Sequence, residues 1–293
     1  MNEKDLIYFC KLVEIGSYTE TAIYFDVTQP TISTVIRRLA EHFNDPLIIQ
    51  KHRKSKLLLT ASGTMLYKKA KYLINEIEAV NFDVRHAKDK KIRLAFSGEA
   101  GSIYLPDLVK MFFDAGISDM LDSRLMRSSN AFEELESGEV DVAIYSWILP
   151  INDPNYYIRN LEKTEMVIIT GLSDPWAVKK VVKANELRER NFIAREPGYL
   201  TRECLNEVGK LGNFNPNILF LANTMRIMID LVERNVGIAL VMKSSIRDTD
   251  RVHIIHLDDD QKYYAYMQIA MRKSFIPNDY QQPGIQIFRN FKA

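Results

Sequence analysis

The chain is poor in several things. Its 293 residues include two cysteines, Cys10 and Cys204, far apart, so no disulfide framework is expected and a reducing cytoplasm suits it. Only 12 glycines and 10 prolines exclude a collagen-like or low-complexity chain. No apolar run approaches the ~18–20 residues of a membrane span. The opening stretch MNEKDLIYFCKLVEIG carries acids and lysines where a secretory signal has an apolar segment. Histidines number five, and His253 and His256 fall three apart in an expected strand, on opposite faces, so no metal or cofactor is expected. No G-x-S-x-G, P-loop or zincin pattern appears, so an enzyme is not expected. Net charge is nearly absent too: 39 Lys+Arg meet 38 Asp+Glu, leaving +1. What remains is an ordinary globular composition with room for about two domains.

The near-zero charge hides an uneven distribution. Residues 1–27 hold two Lys/Arg against five Asp/Glu, −3. Residues 28–72 hold nine against two, +7, and residues 73–90 three against four, −1. The remaining 203 residues carry −2. A local excess of this size suits a phosphate backbone, although a solvated basic face has the same composition.

Local patterning favours the first reading. Leu6, Phe9, Cys10 and Val13 make one helical stripe that Gly16 ends. Ser17 to Glu20 fits a capping box opening a short helix with Ala22 and Phe25 inward. A third helix opens at Thr28-Gln29-Pro30, where Pro30 is tolerated in the first turn. Its inner face is Ile32, Val35, Ile36, Leu39 and Phe43. Its outer face runs Gln29, Thr31, Ser33 and Thr34, then Arg37 and Arg38, and Pro30 joins them as a candidate DNA contact. Short polar groups followed by arginines are the order a recognition helix needs, to reach base edges first and hold phosphates after. Two short apolar runs, 47–49 and 57–59, flank a basic tip with Lys51, Arg53 and Lys54, a wing able to lie along a groove.

At this point the residues resemble the DNA-binding domain of LysR-type transcriptional regulators. The carriers are Phe9, Val13-Glu14, Gly16 to Ala22, Val27 to Ser33, Ile36 to Leu39, Pro46-Leu47-Ile48 and Leu59 to Gly63. Ala40 and Gln50 depart from the usual Glu and Arg. Thr60 then opens a helix in which Leu66, Ala70, Leu73, Ile77, Val80 and Val84 repeat at 4, 3, 4, 3, 4. No adjacent sequence offers this helix a core, so a paired helix is expected, as in the family's dimerising linker, with a hinge at 89–91. A twofold pair would set two recognition helices ~34 Å apart on one duplex face.

Residues 91–293 alternate strand and helix, an α/β pattern with parallel sheets. Four strand-to-helix turns (97–102, 128–130, 198–202 and 223–224) carry hydroxyl, amide or glycine groups, and helix N-termini offer N–H groups to anions. A cleft for a small carboxylate is the expectation. This stretch resembles the family's effector domain, a two-lobed fold like a type 2 periplasmic binding protein, through Leu105-Pro106, Gly138 to Ile144, Arg195 to Gly198, Thr201-Arg202, Leu231-Val232 and Val236 to Ala239. The resemblance implies effector contacts at Ser97, Ser128, Ser129, Tyr199 and Thr201. Tyr199 replaces the usual Ser, and Met242 the usual Pro. Leu149-Pro150 and Asn152 to Pro154 are similar to a malolactic-type subgroup.

The expected plan is therefore a winged helix-turn-helix over 1–60, a linker helix and hinge over 61–90, and an effector domain over 91–293. Lobe one takes 91–161 and 268–293, and lobe two takes 162–267. The resemblance implies binding to double-stranded promoter DNA, a homodimer through the linker, a homotetramer of two dimers, a small organic acid as effector, and contact with RNA polymerase if the protein activates. The rival reading is a small-molecule-binding protein without regulatory DNA binding. A peroxide sensor would need paired cysteines in the effector domain, where Cys204 stands alone.

Overall fold

The computed structural model describes residues 1–49 and 57–292. The chain divides into two compact units, one built on Met1–Arg85 and the other on His86–Leu135 and Glu139–Ala293. Each is described by itself.

In the first unit, helix α1 (Glu3–Ile15) is opened by a reciprocal capping box between Asn2 and Asp5, a signal absent from the sequence expectations, and closed by Gly16 at φ 76°. Helix α2 (Tyr18–Tyr24) follows. Ser17 Oγ accepts from Glu20 N–H at 3.3 Å, but the reciprocal Glu20 bond is not made among the described residues, so half of the expected box forms. Helix α3 (Gln29–Phe43) has Pro30 in its first turn. Thr28 Oγ1 meets Thr31 Oγ1 at 2.9 Å, side chain to side chain, rather than capping an N–H. Leu6, Phe9, Leu12, Ala22, Ile32, Val35 and Leu39 form one core. Strands β1 (Ile48–Ile49) and β2 (Leu58–Leu59) pair antiparallel, Ile48 opposite Leu59. The basic tip with Lys51, Arg53 and Lys54 lies outside the described residues.

Helix α4 (Ala61–Arg85) corrects one expectation. Its first half does have a core of its own: Leu66, Tyr67, Ala70 and Ile74 pack with the residues of α1. The heptad seam is therefore shared between two faces. Leu66 and Ala70 face inward, while Leu73, Val80 and Val84 are 44%, 57% and 71% exposed. Sequence spacing misses this because α1 is more than fifty residues away along the chain, and only folding brings it alongside. Gly63 is required where α4 starts: a Cβ there would sit 1.9 Å from the Leu47 carbonyl oxygen.

The second unit holds a mixed sheet rather than purely parallel ones. Strand β3 (Ile92–Phe96) pairs parallel with β4 (Leu121–Leu125) and with β5 (Val142–Trp147). Helices α5 (Gly98–Asp114) and α6 (Ser128–Ser137) connect them, as crossovers between parallel strands require. Strand β6 (Tyr156–Gly171) is 16 residues long, where the apolar run at 166–170 suggests a short strand. Strands β7 (Val181–Val182), β8 (Asn191–Ala194) and β9 (Asn217–Leu221), helices α7 (Leu200–Leu211) and α8 (Met225–Glu233), and strands β10 (Ala239–Met242) and β11 (Val252–Leu257) follow. Strand β12 (Tyr264–Arg272) then runs antiparallel to both β5 and β6, and helix α9 (Gln282–Asn290) ends the order. The main sheet runs β4-β3-β5-β12-β6-β11-β7, with β10 also on β6 and β8 paired with β9.

Antiparallel β6 and β12 thus carry the chain between two halves of this unit. The register of β12 shifts between Met267 and Gln268, beside the expected lobe boundary. One half rests on β3, β4, β5, α5, α6 and α9, the other on β8, β9, β10, α7 and α8. Buried Asp141 accepts from Arg93 N–H at 2.8 Å and from its guanidinium at 3.0 and 2.5 Å, a structural clamp at the head of β5.

Candidate nucleic-acid interface and ligand cleft

The exposed face of α3 carries the candidate DNA-reading groups. Gln29, Pro30, Thr31, Thr34, Arg37 and Arg38 are exposed and Ser33 is half-buried, while Ile32, Val35, Ile36 and Leu39 are buried beneath them. The side chains are pre-arranged: Gln29 Nε2 donates to Ser33 Oγ at 3.1 Å. Among the described residues Arg37 has only a loose, exposed ion pair with Glu41 at 3.8 Å. Arg38 differs. Its Nε donates to buried Asp5 at 3.3 Å and its terminal nitrogen bonds the other Asp5 oxygen, tying α3 to α1. Two adjacent arginines that read alike in sequence therefore sit in different electrostatic settings.

A cavity of about 790 Å³ lies between the two halves of the second unit. The first half contributes Glu99 and Ser102 from α5, with Arg127 and Asn130 beside the start of α6. The second half contributes Arg195 and Tyr199 from the turn after β8, Asn223, Thr224 and Arg226 at the start of α8, and Ser244, Ser245 and Arg247 after β10.

Of the five expected effector contacts, Tyr199 lines the cavity and the other four do not. Ser97 is buried and its Oγ accepts from Ala100 N–H at 3.4 Å, capping α5. Ser128 Oγ accepts from Ser146 N–H at 3.2 Å, and Ser129 Oγ donates to Asn130 Oδ1 at 3.0 Å. Thr201 is buried with its hydroxyl unbonded among the described residues. Capping explains Ser97, whereas Ser128 and Ser129 are held by other neighbours and Thr201 is buried. A serine capping a helix, as Ser97 does, turns its hydroxyl back to the first-turn backbone, and Glu99, Ser102 and Asn130 line the space instead.

Sequence reasoning misses the arginines. Arg195 is 5% exposed, its guanidinium centre lies 3.9 Å from the Tyr199 ring centroid, and its Nε has no hydrogen-bond partner among the described residues. Arg127 reaches from the other half toward the same ring, at 5.2 Å, and pairs with Glu196 at 3.4 Å. Gly198, at φ 88°, leaves room for it: a Cβ there would be 3.2 Å from an Arg127 guanidinium nitrogen. Tyr199 thus works as a platform between two cations. Arg226 is neutralised by Asp230, Asp250 and Glu233. The only sequence signal is the Arg195 to Gly198 stretch itself. Both cysteines are buried, and burial pushes each thiol up to about 12, so neither offers the thiolate that redox sensing needs.

The family model described as "Bacterial regulatory helix-turn-helix protein, lysR family" matches residues 4–64, and "LysR substrate binding domain" matches residues 85–291. The chain belongs to the LysR family of transcriptional regulators. It is a regulator with a DNA-binding helix-turn-helix and an effector-binding domain, not an enzyme, and LysR regulators bind DNA and small-molecule effectors. This LysR regulator is 23% identical over 295 residues to the malolactic fermentation system transcriptional activator of Lactococcus lactis subsp. lactis, covering 100% of this chain and 99% of that one. It is 24% identical over 247 residues to the Hca operon transcriptional activator HcaR of Escherichia coli, covering 82% and 81%. A full-length OxyR variant from Pseudomonas aeruginosa superposes with a TM-score of 0.54 at 15% identity, over 98% of both chains. The effector binding domain of QuiR in complex with shikimate gives 0.53 at 18% identity, over 68% of this chain and 94% of that one. These structural likenesses establish the fold of the regulator.

Proposed function

We propose that this regulator reads duplex DNA with the first half of α3 and answers to a small organic acid held in the cleft. Gln29, Pro30, Thr31, Ser33 and Thr34 reach base edges in the major groove. Arg37, with Lys51, Arg53 and Lys54 of the basic stretch that follows β1 in sequence, holds phosphates, and Arg38 adds charge at the rim while fixing the helix. The observation that carries the reading is the order on α3: exposed short polar groups, then exposed cation, above a buried apolar face.

Two copies pair through the exposed stripe of α4, and two such dimers form a homotetramer in the cytoplasm, which contacts RNA polymerase where it activates. The acid sits against Tyr199 and Arg195, with Ser97, Ser128, Ser129 and Thr201 setting the surrounding turns. It acts by shifting the balance between two arrangements of the halves, and only as far as its affinities for them differ.

The test uses full-length protein and duplexes selected from a random library, titrated by fluorescence anisotropy over a salt series. Binding should weaken linearly on a log–log salt plot, and Arg37→Ala should lower the slope by about 1. Binding indifferent both to salt and to this substitution would sink the reading.

A further inference from the structure

The cleft is not lined by cations and hydroxyls alone. Glu99, in the first turn of α5, also lines it and is 7% exposed. Its carboxylate makes no hydrogen bond or ion pair among the described residues. Carboxylates this buried are seldom left unpaired, because removing the charge from water is costly. The positive end of α5 offsets part of that cost but supplies no counter-cation.

The other half of the unit supplies the opposite character. Arg195 is 5% exposed, lines the same cavity and keeps its Nε unbonded among the described residues. The buried hydroxyls of Ser244 and Ser245, on the same lining, also have no partner among the described residues. Arg127 and Arg226 are already matched by carboxylates, so the lining's available positive charge rests with Arg195 and with Arg247. Ser102, Asn130, Tyr199, Asn223 and Thr224 also line it, and Phe96, Ile103, Leu125, Met126, Met225 and Ile229 supply an apolar part of the wall.

We infer that the cleft takes an amphoteric ligand, an α-amino acid with a sizeable apolar side chain. Its carboxylate meets Arg195 and the two serine hydroxyls, its ammonium meets Glu99, and its side chain lies on the apolar wall. The inference rests on the cleft being the acid-binding site and narrows the class of acid. A simple organic acid satisfies only one wall, leaves Glu99 without a cation and adds a second negative charge to the same cavity. A donor set of opposite signs facing one space selects a ligand carrying both. The cavity of about 790 Å³ lies within the usual range for small-molecule sites.

The experiment is isothermal titration of full-length protein with L-leucine, L-methionine and L-phenylalanine, each beside its deaminated carboxylate and its 2-hydroxy acid. At least one amino acid should bind about tenfold or more tighter than both counterparts, the effect of one charge-assisted hydrogen bond. Glu99→Gln should erase that preference while leaving carboxylate binding in place. Removing a buried unpaired charge should keep the unliganded variant folded, which its melting curve checks. Deaminated or 2-hydroxy acids binding as tightly as the amino acids would overturn the inference and leave the acid-binding reading standing. A preference that survives Glu99→Gln would overturn it as well. No binding by any of the three classes would overturn both.

Discussion

Arg37 and Arg38 are neighbours in sequence and carry the same charge, yet a helix turns about 100° per residue and points them differently. Arg38 reaches Asp5, which is 2% exposed and also caps α1. Arg38→Met leaves that carboxylate without its cation and should cost the N-terminal unit about 1–2 kcal/mol in urea unfolding, discounted because the arginine is half exposed. Arg37→Ala should leave stability within error, as its pair with Glu41 is loose and exposed. Equal stability losses from the two would contradict this division. The same principle separates Tyr199 from Ser97. Both are legible as turn residues, but only the fold says that one hydroxyl is turned onto its own helix while the phenol ring carries two guanidinium groups.

At the level of elements, α1 and α4 are held by a clasp of charges over their shared apolar contact. Glu14 accepts from Lys71 at 3.0 Å and from Lys11 at 3.2 Å. Burial raises its carboxyl, but these two hydrogen bonds together with the charges of Lys71 and Lys11 outweigh burial and hold it below the ordinary carboxylate value. A folded-state value below the unfolded one means the clasp stabilises fully above the unfolded value of roughly 4.3. That stability is lost as pH falls through the lower folded-state value. Glu14→Gln should therefore flatten the acid limb of the stability curve of the N-terminal unit while barely moving its apolar core. Urea midpoints measured from ~pH 7 to ~pH 3 check this, and parallel curves for the two proteins would show the clasp contributes nothing. The heptad spacing of α4 is legible because it is local. Its division between an inward face and an exposed stripe is not, because α1 comes from a distant stretch.

For the whole molecule, the exposed stripe of α4 bears on assembly. Leu73, Val80 and Val84 project apolar surface that nothing covers among the described residues of their own unit. Val80→Glu with Val84→Glu should lower the mass seen in sedimentation and weaken DNA binding together, since a charge buried in a paired seam is costly. An unchanged mass would place the pairing elsewhere. Sequence by itself determined what depends on near neighbours along the chain: the three N-terminal helices and their outer face, the split of charge into a basic segment and a mildly acidic remainder, and the α/β alternation of the second unit. Tertiary structure alone decided which side chains share a cavity. Glu99, Arg127, Arg195, Ser244 and Arg247 come from widely spaced turns that meet only because the antiparallel pair β6 and β12 brings two halves of the chain face to face. Periodicity reports which face of an element is apolar. It carries no signal for which elements stand opposite, because that is set by sheet register and packing between segments far apart along the chain.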